Sequence, residues 1–274
     1  MSIIQAIILG IVQGITEPIP VSSSGHLIAI PQLLGWEDFG LTFDVALHMG
    51  SIIAVVAYFW KDWLSILRGF FWNLRSGKSS VSKDPNGPGR LFIPIFVACV
   101  PAGVAGLLWS DAIEENLRHW YMVGGALVLI SFVMLYAERI ARRNRDISRM
   151  GYLDYITIGI AQAVALFPGV SRSGITITAG LFLGLDRQSA ARFSFLLSTP
   201  IIIAAGVFQL KDVFPMAPED AWLFVTGAAT SAVVGYLAIG FLMKFIQKHS
   251  LAVFAVYRIA FAVAMGVVFA IRGA

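Results

Sequence analysis

The sequence predicts an all-α integral membrane protein, with about six transmembrane helices and two re-entrant helix pairs arranged as an inverted-topology repeat. Two observations predict the class. The chain of 274 residues is 58% hydrophobic and only 13% charged, about half the charged fraction of a soluble domain. Its apolar residues form long blocks rather than a period-2 alternation, which favours a helical bundle over a membrane β-barrel.

Six apolar windows are long enough to cross a bilayer, since about 20 helical residues span a hydrocarbon core of about 30 Å. Two other apolar segments, 1–35 and 151–187, are interrupted by Pro, Gly and Ser. We expect each to form a re-entrant helix pair, within a single membrane domain that covers residues 1–274. The six predicted spans lie at 42–60, 91–109, 119–138, 190–208, 221–243 and 251–271.

Charged segments predict the orientation in the membrane. Basic residues concentrate at 61–90 and 139–149, whereas acidic residues concentrate between the second and third spans and between the fourth and fifth. The positive-inside rule places the basic loops in the cytoplasm, and this assignment alternates consistently across all six spans. The net charge of +4 is therefore explained by the orientation of the loops in the membrane. It does not indicate a nucleic-acid partner, and we expect none.

The two interrupted segments are related at a constant offset of 149 residues. Residues 10–13 (GIVQ) align with 159–162 (GIAQ), and residues 21–25 (VSSSG) align with 170–174 (VSRSG). Each segment precedes three spans, so the second copy has the opposite orientation in the membrane. We predict one repeat at about 1–138 and another at about 151–274, an architecture that places sites near the midplane on broken helices.

The first interrupted segment predicts an anion site. Gln13 and Glu17 share a helix face because they are four residues apart, and Pro18 and Pro20 end that helix. The next helix is expected to start near Ser24, and its free backbone N–H groups favour an anion. The predicted phosphate-binding residues are Ser22, Ser24 and Gly25 here, and Ser171, Ser173 and Gly174 in the second segment.

Phosphoryl transfer requires charge neutralisation, a nucleophile and proton handling. Arg172 suits the first role because a guanidinium can bind two phosphate oxygens at once. Ser23 or a water molecule is the candidate nucleophile, Glu17 and His26 can activate it, and His26 can protonate the leaving group. Ionisable groups at membrane depth cost about 2.5–3.5 kcal/mol on insertion scales, so Glu17 and Arg172 are expected to be functional. We also expect a magnesium or calcium ion bound through Glu17, with Gln13 offering a neutral oxygen.

Three further polar residues occupy the predicted spans. Asp44 and His48 are four residues apart near the start of the first span, and either support the site or lie at the membrane interface. Arg258 lies beside Tyr257 in the last span. We expect Arg258 to pair with an intramembrane carboxylate in a structural role.

These motifs resemble those of the undecaprenyl-diphosphate phosphatase family, also called bacitracin-resistance proteins. The resemblance is carried by residues 13–26 (QGITEPIPVSSSGH) and 168–174 (PGVSRSG) and extends over essentially the whole chain. It implies a bacterial plasma-membrane enzyme that converts undecaprenyl diphosphate to undecaprenyl phosphate and phosphate, with divalent-metal dependence and a role in bacitracin tolerance. Gln13 stands where many members carry a second Glu. By resemblance, the catalytic or phosphate-binding residues are Glu17, Ser23, His26 and Arg172.

A transporter remains the alternative interpretation, either a flippase for a prenyl phosphate or a small-anion carrier. The inverted repeat fits a transporter as well as an enzyme. The sequence leaves the oligomeric state open, with a homodimer compatible with it. It also leaves open the choice between Ser23 and water as the nucleophile.

The predicted topology can be tested by single-cysteine labelling. In a Cys99→Ala background, we expect cysteines at Ser79 and Asn144 to be protected from a membrane-impermeant thiol reagent in intact cells, because both lie in basic segments. A cysteine at Glu115 should react, because it lies in an acidic segment. All three should react after permeabilisation, and reaction at position 79 or 144 in intact cells would contradict the inverted repeat.

Overall fold

The structure is a computed structural model that describes residues 1–36, 40–75, 87–117, 119–213 and 221–272. This part of the chain forms ten α-helices and no β-strand, which confirms the all-α prediction. The helices are α1 Ile3–Thr16, α2 Ser23–Leu34, α3 Gly40–Arg75, α4 Phe92–Leu117, α5 Trp120–Ile140, α6 Tyr152–Val164, α7 Arg172–Phe182, α8 Arg187–Val213, α9 Ala221–Phe245 and α10 Ala252–Arg272.

Six of these helices, α3, α4, α5, α8, α9 and α10, are long and apolar enough to cross a membrane. They coincide with the six predicted spans and make the protein a multi-pass membrane helix bundle. The other four have 14, 12, 13 and 11 residues. At 1.5 Å per residue they are about 16–21 Å long, short of the core of about 30 Å. These lengths suit re-entrant pairs, and the side from which each pair enters stays a prediction.

Two predicted loops are partly helical. The segment 61–90, predicted as a basic loop, continues α3 as far as Arg75 across a kink at Phe59 (φ −98°, ψ 16°). Its helical form follows from apolar residues at helical spacing, of which Ile66 is almost fully buried. Likewise, α4 extends to Leu117 through the predicted acidic loop. Residues 76–86 and the acidic side chains at positions 111, 114, 115, 212, 219 and 220 lie outside what the structure describes.

Helices of one half of the chain pack against helices of the other half in matching pairs. We call this the exchange pattern, because each contact recurs with the two halves exchanged. Helix α1 packs against α9 as α6 packs against α4, and α3 packs against α9 as α8 packs against α4. Helix α2 contacts α10 as α7 contacts α5, while α3 contacts its own counterpart α8. Two five-helix units related by a two-fold axis would make this pattern of contacts. The exact boundaries of the two repeats stay a prediction.

Small residues allow the closest helix pairs to form, as is common in membrane bundles. A Cβ atom at Gly50 would lie 2.1 Å from the carbonyl oxygen of Ala228, so only glycine lets α3 approach α9 this closely. A Cβ atom at Gly159 would lie 2.4 Å from the carbonyl oxygen of Ala98, which fixes α6 against α4 in the same way. The second of these contacts holds α6, part of the second interrupted segment, against α4.

Candidate active site

Two matching serine turns form the framework of the site. Ser22 precedes α2 with φ 77°, and its Oγ accepts a hydrogen bond from the Gly25 N–H at 3.4 Å. Ser171 precedes α7 with φ 71°, and its Oγ accepts from the Gly174 N–H at 3.2 Å. Positive φ at a non-glycine residue costs about 1–3 kcal/mol and concentrates at functional sites. The same strained turn therefore occurs twice, at the predicted offset of 149 residues.

The Glu17 carboxylate lies where the two motifs meet. Its Oε1 accepts a hydrogen bond from Arg172 Nη2 at 2.8 Å, and its Oε2 accepts from Ser23 Oγ at 2.5 Å and from Gln13 Nε2 at 3.2 Å. The Ser23 distance is at the short end for a hydroxyl bound to a carboxylate. Only 10% of the Glu17 side chain and 16% of the Arg172 side chain are exposed. The two charges are therefore paired in a nearly dry interior.

A buried chain of polar groups holds Gln13 in place. Its Nε2 also donates to Ser51 Oγ at 3.2 Å, and Ser51 Oγ lies 3.1 Å from Ser231 Oγ. Ser231 in turn donates to the Leu47 carbonyl oxygen at 2.9 Å. These contacts link α1, α3 and α9. They leave Gln13 Oε1 buried and without a hydrogen-bond partner among the described residues.

His48 lies beside Glu17, as the first of the two alternatives left open by the sequence requires. Its Nδ1 lies 2.7 Å from the Asp44 carbonyl oxygen. Because a carbonyl can only accept, Nδ1 carries the proton and Nε2 faces Glu17 Oε2 at 3.7 Å. Asp44 thus contributes its backbone carbonyl to the orientation of His48.

The structure places His26 against α10. Its Nδ1 lies 2.7 Å from the Ser22 carbonyl oxygen and its Nε2 lies 2.8 Å from the Tyr257 hydroxyl. The ring stacks on Phe261 with centroids 4.0 Å apart, and His26 is 2% exposed. Because the carbonyl fixes the proton on Nδ1, Nε2 accepts from Tyr257. In this arrangement both nitrogens are engaged with groups other than Glu17 and Ser23. Sequence reasoning missed Tyr257 as the partner of His26.

Arg258 is fully buried and has no carboxylate partner among the described residues, so the predicted pairing with a carboxylate is wrong. Its guanidinium donates to the carbonyl oxygen of Gly169 at 2.9 Å and to Ser131 Oγ at 3.1 Å. It also donates to the carbonyl oxygens of Leu127 and Pro20 at 3.4 Å each. Breaks in regular helix expose carbonyl oxygens, and these attract the guanidinium. Arg258 thereby joins the breaks of both motif segments, which is the structural role that the sequence suggested.

Comparison with known proteins places this geometry in a family. The family model described as bacitracin resistance protein BacA matches residues 6–264. The chain belongs to this family. The match includes every residue of both motifs, so the Glu17–Arg172 ion pair and both serine turns lie within the shared region.

Curated relatives of this BacA family chain match it from end to end. The undecaprenyl-diphosphatase of Rubrobacter xylanophilus is 46% identical over 266 residues, covering 96% of each chain. That of Moorella thermoacetica is 43% identical over 272 residues, covering 99% of this chain and 100% of its own. That of Desulforudis audaxviator is 41% identical over 273 residues, covering 100% of both.

The site offers oxygen donors to a divalent cation. No group of three or more His, Cys, Asp or Glu side chains in the described part of the chain is arranged to hold a metal. Glu17 offers a carboxylate and Gln13 Oε1 is unpartnered, although the Gln13 atom that faces Glu17 is Nε2. Magnesium commonly takes one or two carboxylates and completes its shell with substrate phosphate and water. A magnesium or calcium ion at this BacA family site would therefore depend on the Glu17 carboxylate and on oxygens of a phosphate substrate.

The position of Arg172 predicts the effect of its replacement. We expect Arg172→Ala to lower the turnover rate of lipid-diphosphate hydrolysis about 100-fold or more, the usual loss for one preorganised charge contact in a transition state. Arg172→Lys should also be impaired, because an ammonium cannot bind Glu17 and phosphate through one planar fork. Steady-state kinetics of the purified variants measure this, and near-normal turnover in Arg172→Lys would exclude the two-sided role of the guanidinium.

Proposed function

We propose that this protein hydrolyses undecaprenyl diphosphate to undecaprenyl phosphate and inorganic phosphate in the bacterial plasma membrane. The product is the lipid carrier of cell-wall synthesis, so the reaction recycles it and underlies bacitracin tolerance. The observation that carries the proposal is the meeting of Glu17, Ser23 and Arg172 between two serine turns. That site lies in a chain whose curated relatives are named undecaprenyl-diphosphatase over their whole length.

The two turns and Arg172 supply a phosphate site. The first backbone N–H groups of α2 and α7 and the positive ends of their helix dipoles favour an anion. Arg172 Nη2 is bound to Glu17, whereas its Nη1 is buried and has no hydrogen-bond partner among the described residues. The guanidinium can therefore hold the carboxylate with one arm and the terminal phosphate with the other.

The same cluster supplies a nucleophile and its base. In one version, Ser23 Oγ attacks the terminal phosphorus, its proton passes to Glu17, and the bond to the bridging oxygen breaks. Undecaprenyl phosphate leaves and takes up a proton, and water then hydrolyses the phosphoserine to restore Ser23. In the other version, Glu17 takes the proton from a water molecule that attacks directly, and Ser23 donates a hydrogen bond to phosphate. The hydrogen bond of 2.5 Å between Ser23 and Glu17 is the pairing that the first version requires.

His26 and Tyr257 position the first turn in this scheme. His26 Nδ1 donates to the Ser22 carbonyl oxygen and its Nε2 accepts from Tyr257, so the ring ties the serine turn to α10. His26 could protonate the leaving group only through Nε2. That nitrogen is free to carry a proton only if Tyr257 moves away from it. His48 is nearer than His26 to the proton that Glu17 takes from the nucleophile, because His48 Nε2 lies 3.7 Å from Glu17 Oε2.

A divalent cation is a further part of the proposal. Glu17 and Gln13 Oε1 would hold a magnesium or calcium ion together with substrate oxygens. When bound, the ion supplies positive charge that neutralises the diphosphate. Gln13 is neutral, whereas a carboxylate at this position would be a second negative charge. Glu17 is therefore the carboxylate that pairs with the positive charge of Arg172.

A prenyl-phosphate flippase or a small-anion transporter is the second candidate. The exchange pattern of helix packing favours it, because transporters built from inverted repeats alternate around a central site. A homodimer is compatible with both functions.

Phosphate release by the purified protein in detergent separates the two functions, because detergent removes the membrane compartments. We expect release of one phosphate from each undecaprenyl diphosphate, and its loss in Ser23→Ala with folding unchanged. A wild-type protein that binds the lipid diphosphate and releases no phosphate, with or without magnesium or calcium, would refute the enzyme and favour transport.

The charge of Glu17 predicts how metal affects activity. We expect Glu17→Gln to abolish stimulation by magnesium or calcium, because it removes the one carboxylate of the two motifs. Gln13→Glu should be active and should bind the metal more tightly, because it adds a second carboxylate to the site. Titration of metal against phosphate release measures both variants. An unchanged metal response in Glu17→Gln would move the metal site to other residues.

A further inference from the structure

Gln162 is a buried amide that the mechanism above does not use. It lies in the last turn of α6, ten residues before Arg172, and is 3% exposed. Neither its Oε1 nor its Nε2 has a hydrogen-bond partner among the described residues. Buried amides are nearly always hydrogen-bonded, because an unmet donor or acceptor pays the full cost of leaving water. A ligand or water that reaches this position would satisfy both atoms.

At the two positions whose counterparts bind Gln13, the second half of the chain has apolar residues. Gln162 is the counterpart of Gln13, whose Nε2 binds Glu17 and Ser51. At the same offset of 149 residues, the counterparts of Glu17 and Ser51 are Leu166 and Pro200. Leucine and proline side chains cannot hydrogen-bond. Gln162 therefore retains a polar group at a position where its own half provides apolar neighbours.

Helix α6, which carries Gln162, packs against α4 and against α7, the helix that begins with Arg172. Gly159, one turn before Gln162, lies directly on the Ala98 backbone, so α6 meets α4 next to Cys99. The Cys99 thiol donates to the Leu197 carbonyl oxygen at 3.5 Å. Arg172 Nη1 is the other buried donor in this second motif that has no partner in the described part of the chain. Two donors without partners among the described residues, Gln162 Nε2 in α6 and Arg172 Nη1 at the start of α7, thus lie on helices that pack against each other.

We propose that Gln162 is a further substrate-binding residue, whose carboxamide hydrogen-bonds the same phosphate group that Arg172 Nη1 holds. Its Nε2 donates to a non-bridging oxygen of that phosphate, and its Oε1 accepts from a protonated phosphate oxygen or from water. The inference rests on the proposed phosphatase function and extends the site from the first repeat to the second. It gives each interrupted segment one glutamine at the substrate, with Gln13 on the Glu17 side and Gln162 on the Arg172 side.

The test compares Gln162→Leu, which keeps the volume and removes both polar atoms, with wild type and with Gln162→Glu and Gln162→Asn. Purified proteins are assayed for phosphate release from undecaprenyl diphosphate, for inhibition by inorganic phosphate, and for melting temperature without substrate. We expect Gln162→Leu to raise KM about 10- to 100-fold and to weaken inhibition by phosphate, since it removes a hydrogen bond to a charged group. Gln162→Glu should raise KM further by repulsion, and Gln162→Asn should lie between wild type and Gln162→Leu.

Stability separates a substrate-binding role from a structural one. An unsatisfied buried amide lowers the stability of the empty protein, so Gln162→Leu should melt at the wild-type temperature or above it. A lower melting temperature with unchanged KM in Gln162→Leu would overturn the proposal, as would unchanged KM in both Gln162→Glu and Gln162→Asn. Thr199→Val is the matched control, because it removes a buried hydroxyl that binds the Phe195 carbonyl of its own helix. It should leave KM unchanged. If wild type itself releases no phosphate, the proposed function fails, whereas an active wild type with active variants of unchanged KM refutes the role of Gln162 alone.

Discussion

The ion pair between Glu17 and Arg172 is the interaction on which the rest of the site depends. Each residue alone would carry a charge into an apolar interior at considerable cost, but the two meet at 2.8 Å across 155 residues of sequence. The pair fixes the first motif against the second. It also sets the positions of Ser23, Gln13 and His48, because all three approach the same carboxylate oxygen.

Two serine turns and the hydrogen bonds of Arg258 to backbone carbonyl oxygens hold this ion pair in position. The Ser22 and Ser171 turns begin α2 and α7 in the same strained conformation. Arg258 crosses between them, with bonds to the carbonyl oxygens of Pro20 and Gly169. Arg258 is bound by carbonyl oxygens and by no carboxylate among the described residues. Its positive charge is therefore not neutralised by a neighbouring negative charge. That charge lies against the first turn of α7, where a Cβ atom at Gly174 would be 3.4 Å from its Nη1, and it favours the same anion as Arg172.

The sequence predicted the spans and the motif residues because both depend on local properties. A run of apolar residues specifies a spanning helix whatever its neighbours, and Pro18 and Pro20 end a helix by their own geometry. The repeat predicted a shared site near the midplane, but the ion pair between Glu17 and Arg172 was not predicted, because the sequence does not show which side chains of the two segments meet. The partners of His26 and Arg258 were missed because they lie on α10 and at backbone carbonyls. Backbone oxygens carry no signature in a sequence. The length of α3 beyond Phe59 was missed because basic residues were taken to mark a loop, although they also occupy the exposed face of a helix.

A double-mutant cycle on thermal stability tests most directly whether the Glu17–Arg172 pair joins the two motifs. Glu17→Gln and Arg172→Gln each leave one buried charge without its partner, which typically costs about 3–5 kcal/mol. The double variant removes both charges and leaves two amides that can hydrogen-bond. The account predicts that the double variant unfolds at a higher temperature than either single variant in the same detergent. Losses of stability that simply add in the double variant would show that the two side chains do not interact, and would contradict the convergence of the two motifs.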